Sequence, residues 1–300
     1  MKKVSQLLAA ALLCSGMAQA QKVTENFYEA RDLTAENTFS KNIEGPNFDK
    51  AGNFYVVNFE KDGTVGKIST KDGKGKIFVT LPDSSIGNSV QFDSKGTMYL
   101  PDFVGHNVLT VDMRTKKVSV YVHNDNFNQP NDLCFMKNDI LFASDPNWKE
   151  STGQIWRIVG GKAELVAKDM GTTNGIELSP DEKTLYVNES IQRKIWKFDV
   201  DKKGNLYHKE LFAEFPDYGF DGMKCDKNGN LYVCRWGKGE IVVLNPSGHQ
   251  INAIALRGKQ CSNLVFGGHD FQTVYVTLQD RKCVETFRVA IPGRKFETVK

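Results

Sequence analysis

GFDGMKCDKNGNLYVCRWGKGEIVVLNPSG, residues 219–248, carries the pattern that decides the fold. A short run from Met223 to Cys225 precedes a turn rich in Asn and Gly, and the β-rich run Leu231 to Cys234 follows it. Asn and Gly adopt the positive φ values that a tight hairpin turn requires. The stretch therefore predicts a β-hairpin. Because one hairpin cannot bury its own apolar faces, it needs similar neighbours.

The same hairpin pattern recurs along the chain. Each copy has a polar turn and then a β-rich run with one aromatic anchor, and the intervals between anchors are 44, 43, 44, 46 and 43 residues. The six anchors are Tyr55, Tyr99, Phe142, Tyr186, Tyr232 and Tyr275. A period in the low forties with several short strands per repeat is typical of a propeller. The sequence predicts an all-β fold, a six-bladed β-propeller with four-stranded antiparallel blades, and no sustained helical period favours an α/β fold.

The last repeat lacks a clear fourth strand. The segment around Thr38 to Ser40 could supply it from the N-terminal side, which would close the ring and remove an exposed sheet edge. We find no linker, low-complexity tract or shift in composition along the chain. We therefore expect a single propeller domain over residues 21–300.

The first 20 residues match an export signal. Lys2 and Lys3 form a basic start, residues 7–13 are apolar, and Ala18-Gln19-Ala20 fits a cleavage site. The apolar run is too short to span a bilayer. We predict a signal peptide over residues 1–20 and a periplasmic or secreted protein with no membrane attachment after cleavage. A lipoprotein modified at Cys14 and an uncleaved anchor are the weaker alternatives.

Charge and cysteine content exclude several classes of partner. Loss of Lys2 and Lys3 lowers the formal net charge from +3 to +1, so neither nucleic acid nor an anionic membrane is indicated. We expect a monomer or weak oligomer that binds a small molecule. The five remaining cysteines are Cys134, Cys225, Cys234, Cys261 and Cys283. They contain no CxxC zinc pattern. A Cys225–Cys234 disulfide is possible after export, but we expect buried free thiols.

A polar residue recurs where each repeat enters its innermost strand. Counting back eleven or twelve residues from each anchor reaches Glu44, Asn88, Asn131, Asn174, Asp221 and Asn263. A propeller brings these points around one mouth of its central channel. Such residues can also simply cap loops, but six in the same register favour a shared site. Oxygen-only side chains suit a hard divalent cation, and because every histidine lies outside this register, a histidine-ligated zinc is not indicated.

A second polar set lies three residues after each anchor, and we expect it to converge on the same mouth. Its members are Asn58, Asp102, Asp145, Glu189, Arg235 and Leu278.

Five short motifs resemble the signature sites of the SMP-30/gluconolactonase/LRE family. They are Glu44-Gly45-Pro46, Pro130-Asn131-Asp132, Thr173-Asn174-Gly175, Phe220-Asp221-Gly222 and Phe266-Gly267-Gly268. The resemblance implies a six-bladed propeller that holds one divalent cation in its channel and hydrolyses a sugar lactone. It also implies that Glu44, Asn174 and Asp221 bind the metal, with Asn131 beside it as a further ligand or a substrate contact.

The same resemblance implies a catalytic role for Asp221 in proton transfer. Ca²⁺ is the expected cation, with Zn²⁺, Mn²⁺ or Mg²⁺ as substitutes. Asn88, Asn131, Gln129 and Asp145 are the predicted substrate-binding residues. Gln129 stands where regucalcin-like members carry a substrate-binding Arg, and Ser144-Asp145-Pro146 is more similar to the bacterial gluconolactonase branch.

Two alternatives stay open at this point. The first is a propeller that binds a ligand or a protein without catalysis, because the fold alone does not determine function. The second is an enzyme like the strictosidine-synthase propellers, in which Glu189 would be the acid/base group. A serine hydrolase is not supported, because the sequence has no G-x-S-x-G motif.

Overall fold

The computed structural model describes residues 26–82 and 84–294, and the predicted signal peptide lies outside them. The described residues form 24 strands in six four-stranded antiparallel sheets, and they contain no helix. This arrangement confirms the predicted six-bladed β-propeller. No helix in this part of the chain is long and apolar enough to span a membrane.

Each blade is a meander of consecutive strands, except for blade 6. Strand β1 (Arg31–Asp32) precedes blade 1, which contains β2 (Phe39–Phe48), β3 (Phe54–Phe59), β4 (Thr64–Ile68) and β5 (Gly75–Thr80). Blade 2 contains β6 (Gln91–Phe92), β7 (Met98–Asp102), β8 (Asn107–Val111) and β9 (Val118–His123). Blade 3 contains β10 (Leu133–Phe135), β11 (Leu141–Asn147), β12 (Thr152–Val159) and β13 (Lys162–Met170).

The second half of the ring follows the same plan. Blade 4 contains β14 (Thr173–Leu178), β15 (Thr184–Glu189), β16 (Lys194–Val200) and β17 (Leu206–Glu214). Blade 5 contains β18 (Met223–Cys225), β19 (Leu231–Arg235), β20 (Glu240–Leu244) and β21 (Gln250–Ala255). Blade 6 contains β22 (Cys261–Gly267), β23 (Thr273–Leu278), β24 (Cys283–Arg288) and, as its outer strand, β1.

The hairpin in blade 5 shows why these sequences form blades. Met223 pairs with Val233 and Cys225 pairs with Leu231 across the turn. The Asp226 carboxylate accepts hydrogen bonds from the backbone N–H groups of residues 228 and 230, at 2.8 and 3.0 Å. Gly229 supplies the positive φ of 83° that the turn requires.

The N-terminal segment closes the ring, but through different residues from those expected. The outer strand of blade 6 is β1, with Arg31 opposite Thr286 and Asp32 opposite Glu285. Thr38 to Ser40 instead leads into β2, because Phe39 is buried and packs edge-on against Phe59 at 5.4 Å. The polar residues of β1 suit an outer edge that faces solvent.

Apolar clusters fill every space between neighbouring blades. The six clusters each combine side chains from two adjacent blades, including blades 6 and 1. At the junction of blades 6 and 1, Phe54 contacts Phe48 and Tyr275, with ring centroids 4.7 and 4.9 Å apart. The core is therefore a ring of interfaces around the central channel.

All five cysteines of the described chain are buried and free, as expected. The possible Cys225–Cys234 disulfide does not form. Cys225 lies opposite Leu231 in the strand pairing, so the two thiols do not face each other.

We predict that the junction of blades 6 and 1 contributes strongly to stability. Phe54 is fully buried, so Phe54→Ala should lower the free energy of unfolding by about 3–5 kcal/mol. Denaturant titration measures this change. Val120→Ala, at an exposed position of the outer strand β9, is the control and should change stability by less than about 0.5 kcal/mol. Equal effects of the two substitutions would contradict the role given to this junction.

Candidate functional site

The chain fixes the strand-entry residues by backbone pairing within each blade. The backbone N–H of Asn88 donates to the carbonyl of Pro101, and that of Asn131 donates to the carbonyl of Ser144, at 3.0 and 2.9 Å. Asp221 makes the equivalent bond to the carbonyl of residue 234, at 3.1 Å. These repeated bonds hold the side chains at the same level around the channel.

A cavity of about 530 Å³ opens at this end of the channel. Its walls include six residues that the sequence analysis singled out: Glu44, Asn88, Gln129, Asn131, Asn174 and Asp221. The four predicted metal-binding residues therefore share one cavity with three of the four predicted substrate-binding residues. Asn263, the sixth strand-entry residue, is buried beside Asp132 rather than in the cavity wall, with its Nδ2 3.4 Å from Asp132 Oδ2.

Asp145 does not line this cavity, in contrast to its predicted role in substrate binding. Its side chain is fully buried and accepts hydrogen bonds from the backbone N–H groups of Asn128 and Gln129 and from Trp156 Nε1, at 2.7–2.9 Å. These donors occupy the carboxylate, so it holds the segment that carries Gln129 in place.

The second polar set does not converge on the cavity either. Asp102 accepts hydrogen bonds from the backbone of residues 86, 104 and 105, and Glu189 accepts one from Gly171. Arg235 donates to the side chain and carbonyl of Asp217. These side chains bond to neighbouring loops, and none of them lines the cavity. Leu278 is a core residue.

Glu44 and Asp221 form a buried acidic pair at the floor of the cavity. Their exposed fractions are 3% and 9%, and each side chain is a hydrogen-bond partner of the other. Burial, together with the charge of nearby Asp132, raises the pKa of Glu44 from 4.5 to about 8. Burial and the charge of Glu44 raise the pKa of Asp221 well above its ordinary value. Two ionised carboxylates here would therefore need a nearby positive charge.

Asn174 supplies an unused oxygen at the same floor. Its Nδ2 donates to Ser190 Oγ at 3.0 Å, and Ser190 Oγ donates in turn to the carbonyl of Phe220. This chain of bonds leaves Asn174 Oδ1 buried without a hydrogen-bond donor in the described part of the protein. A buried orphan acceptor is costly. Two carboxylates and one amide oxygen form a donor set suited to a hard divalent cation.

The described residues contain no group of three or more His, Cys, Asp or Glu side chains placed to hold a metal. A second cavity of about 670 Å³ lies at the opposite end of the channel. There Glu177 lies 3.4 Å from both Lys224 Nζ and Arg294 Nη2. The charge of Glu177 is already neutralised by these two cationic side chains, so this carboxylate does not need a metal cation.

Sequence reasoning missed the aromatic residues around the cavity mouth. Phe103, Trp148, Tyr218 and Trp236 line it together with Ile191. We call the first four the aromatic collar. They lie on loops, where side chains follow no strand period. Phe103, Trp148 and Trp236 each directly follow a strand, and Tyr218 lies in the loop before β18, so no periodic pattern in the sequence marks them.

Comparison with known proteins gives the family. Residues 44–280 match the family model described as the SMP-30/gluconolactonase/LRE-like region. The chain belongs to this family. The match spans all six blades, which agrees with the spacing of the six anchors.

Several known proteins resemble this chain over most of its length. A gluconolactonase of Zymomonas mobilis is 28% identical over 271 residues, covering 78% of this chain and 75% of its own. The diisopropyl-fluorophosphatase of Loligo vulgaris is 26% identical, covering 86% and 92%. The crystal structure of regucalcin from Agrobacterium tumefaciens, described as a calcium-binding protein, superposes with a TM-score of 0.78 at 21% identity, covering 88% and 95%. At that identity the structural similarity shows the fold.

We predict that the acidic pair makes the metal-free protein less stable as pH rises. Because the folded-state pKa of Glu44 is about 8 and its ordinary value is 4.5, the folded state binds more protons between these values. Its free energy of unfolding should therefore fall across this range. Denaturant titrations in chelator between about pH 5 and pH 8 measure the slope.

Glu44→Gln should flatten this pH dependence, because it removes one of the two raised carboxyls. Glu150→Gln, at an exposed position, serves as the control and should keep the wild-type slope. A wild-type slope in Glu44→Gln would show that the pair is not the cause.

Proposed function

We propose that this protein is an exported, metal-dependent hydrolase that opens a sugar lactone, with Asp221 as the general base. The observation that carries the proposal is the floor of the cavity. Glu44 and Asp221 are buried there as a like-charged pair beside the orphan oxygen of Asn174. The gluconolactonase among the relatives supports the choice of a lactone as substrate. Export stays a prediction from residues 1–20.

Glu44, Asn174 and Asp221 would hold the cation, with Asn131 beside them as a ligand or a substrate contact. Ca²⁺ is the cation we propose, because all these donors are oxygens, and Zn²⁺, Mn²⁺ or Mg²⁺ could substitute. When bound, such a cation polarises a lactone carbonyl and makes a nearby water more acidic. Its positive charge would also favour the ionised form of both carboxylates, which the structure otherwise disfavours.

The cavity residues have different roles in the proposed reaction. Asp221 accepts a proton from the attacking water as the water oxygen bonds to the lactone carbonyl carbon. The ring C–O bond then breaks, and Asp221 returns the proton to the leaving alkoxide oxygen. Asn88, Gln129 and Asn131 orient the sugar by hydrogen bonds to its hydroxyl groups, since carboxamides both donate and accept.

The structure disfavours one of the two alternative functions and leaves the other to a kinetic test. Glu189 accepts a hydrogen bond from Gly171 N–H at 2.8 Å and does not line the cavity. An acid/base role for Glu189, as in a strictosidine-synthase-like enzyme, is therefore disfavoured. A binder without catalysis would use the same cavity, and the kinetic test below separates it from the enzyme.

We predict that Asp221→Asn removes the base but keeps an oxygen at the same place. Loss of a general base should lower kcat by about 10²–10⁴-fold. KM should change less, because Asn88, Gln129 and Asn131 still contact the sugar. Lactone hydrolysis followed by pH-stat, with the cation well above the Kd of the variant, measures both constants.

One control variant and one comparison variant accompany this experiment. Asp125→Asn, at an exposed position, should hydrolyse at the wild-type rate. Asn131→Ala should affect KM more than kcat if Asn131 mainly positions the substrate. A wild-type kcat in Asp221→Asn would refute its role as base, and lactone binding by the wild type without turnover would favour the binder.

A further inference from the structure

The second and third strands of every blade are joined by a four-residue loop on the cavity side. The six loops cover residues 60–63, 103–106, 148–151, 190–193, 236–239 and 279–282. Their first residues include Phe103, Trp148, Ser190, Trp236 and Gln279, all of which line the cavity. Corresponding positions in five blades therefore build the cavity mouth.

The aromatic collar presents exposed rings to this mouth. Trp148, Tyr218 and Trp236 are 40%, 50% and 38% exposed. Trp236 is held in place, because its Nε1 donates to Gln279 Oε1 at 3.0 Å. Exposed large apolar side chains clustered around a cavity mark a surface for ligand contact. Flat aromatic faces suit the apolar C–H faces of a sugar chain that extends out of the cavity.

Arg193 is the only cation in the described cavity wall. It occupies the fourth position of the blade 4 loop, where its φ is 57°. The backbone N–H of Arg193 donates to the carbonyl of Glu189, and its carbonyl accepts from Phe215 N–H. Its guanidinium makes no hydrogen bond or ion pair with any described residue, unlike Arg235 and Arg281, which bind carboxylates. The loop thus fixes the backbone while the charged group stays available to a ligand.

The charges in the cavity determine how a charged ligand would be oriented. Glu44 and Asp221 are at the floor, and Arg193 stands on the loop at the mouth. With the cation of the proposed function bound, the floor carboxylates are neutralised, and Arg193 is the charge in the cavity wall that attracts an anionic group on the ligand. A guanidinium binds carboxylate, phosphate or sulfonate groups through paired hydrogen bonds. The cavity volume of about 530 Å³ also suits a ligand larger than one neutral sugar ring.

We propose that Arg193 selects lactones that carry an anionic group on the side of the sugar remote from the lactone carbonyl. The anion binds the guanidinium at the mouth, and the sugar lies against the aromatic collar. The ester carbonyl then reaches the floor, where the hydrolysis proposed above takes place. This inference rests on that proposed function and adds the class of substrate to it.

The test compares neutral and anionic lactones of similar shape. D-Glucono-1,5-lactone is the neutral probe, and its 6-phosphate, 6-sulfo and 6-carboxylate counterparts are the anionic probes. The wild type should favour at least one anionic probe in kcat/KM by about tenfold or more, as expected for a hydrogen bond to a charged group. The three anionic probes distinguish which anion the site accepts. Raising the salt concentration should reduce the preference, because exposed charges are screened.

Substitution of Arg193 should change the preference itself. Arg193→Gln should lower the anionic-to-neutral ratio of kcat/KM by about tenfold. Arg193→Lys should keep part of the ratio, because it retains the charge without the paired geometry. Lys282→Gln is the matched control. Lys282 occupies the same loop position in blade 6, with a φ of 51°, and does not line the cavity, so the ratio should stay at the wild-type value.

The outcomes separate this inference from the proposed function. Hydrolysis of neutral and anionic lactones with equal kcat/KM, unchanged in Arg193→Gln, would overturn the inference and leave the lactonase intact. A wild type that hydrolyses no lactone would overturn both. An equal loss of preference in Lys282→Gln would show a general charge effect and would also overturn the role of Arg193.

Discussion

The packing of blade 6 against blade 1 closes the ring, and this closure brings Glu44 and Asp221 into one cavity. The two residues are far apart in sequence and enter from blades 1 and 5. Phe54 and Tyr275 meet at the junction, and β1 adds the outer strand of blade 6. An open arc of blades would expose the apolar faces of blades 1 and 6 to water and would not fix the distance between the two carboxylates. The chemistry of the site therefore depends on the apolar core between blades.

The polar groups buried at the floor of the cavity destabilise the fold, and the same groups are proposed to bind the cation. Two carboxylates are buried side by side, and the amide oxygen of Asn174 has no donor. Burial of unpaired charge and of an unsatisfied acceptor is costly. The surrounding blades over-determine these positions through repeated backbone bonds such as that from Asp221 N–H to the carbonyl of residue 234. A divalent cation would offset the repulsion and convert the strained floor into a binding site.

The repeated parts of the molecule could be predicted from the sequence, and the unrepeated parts could not. Anchors such as Tyr55 and Tyr232 gave the blade count, and the fixed interval before them located Glu44 and Asp221 in the wall of one cavity. Asp145 follows the same kind of interval but is used by backbone donors, which depend on loop conformation and not on period. Strand β1 has two residues, too few to show a pattern, and the aromatic collar lies on loops that carry no strand alternation.

The most direct test of the site is a crystal structure of the protein soaked in Mn²⁺, with anomalous data collected near the manganese edge. Mn²⁺ prefers oxygen ligands as Ca²⁺ does and gives a strong anomalous signal. The proposed metal site predicts one strong peak at the cavity floor, within about 2.0–2.6 Å of oxygens from Glu44, Asn174 and Asp221. A floor without a peak at saturating Mn²⁺, or a peak only in the opposite cavity beside Glu177, would contradict the assignment.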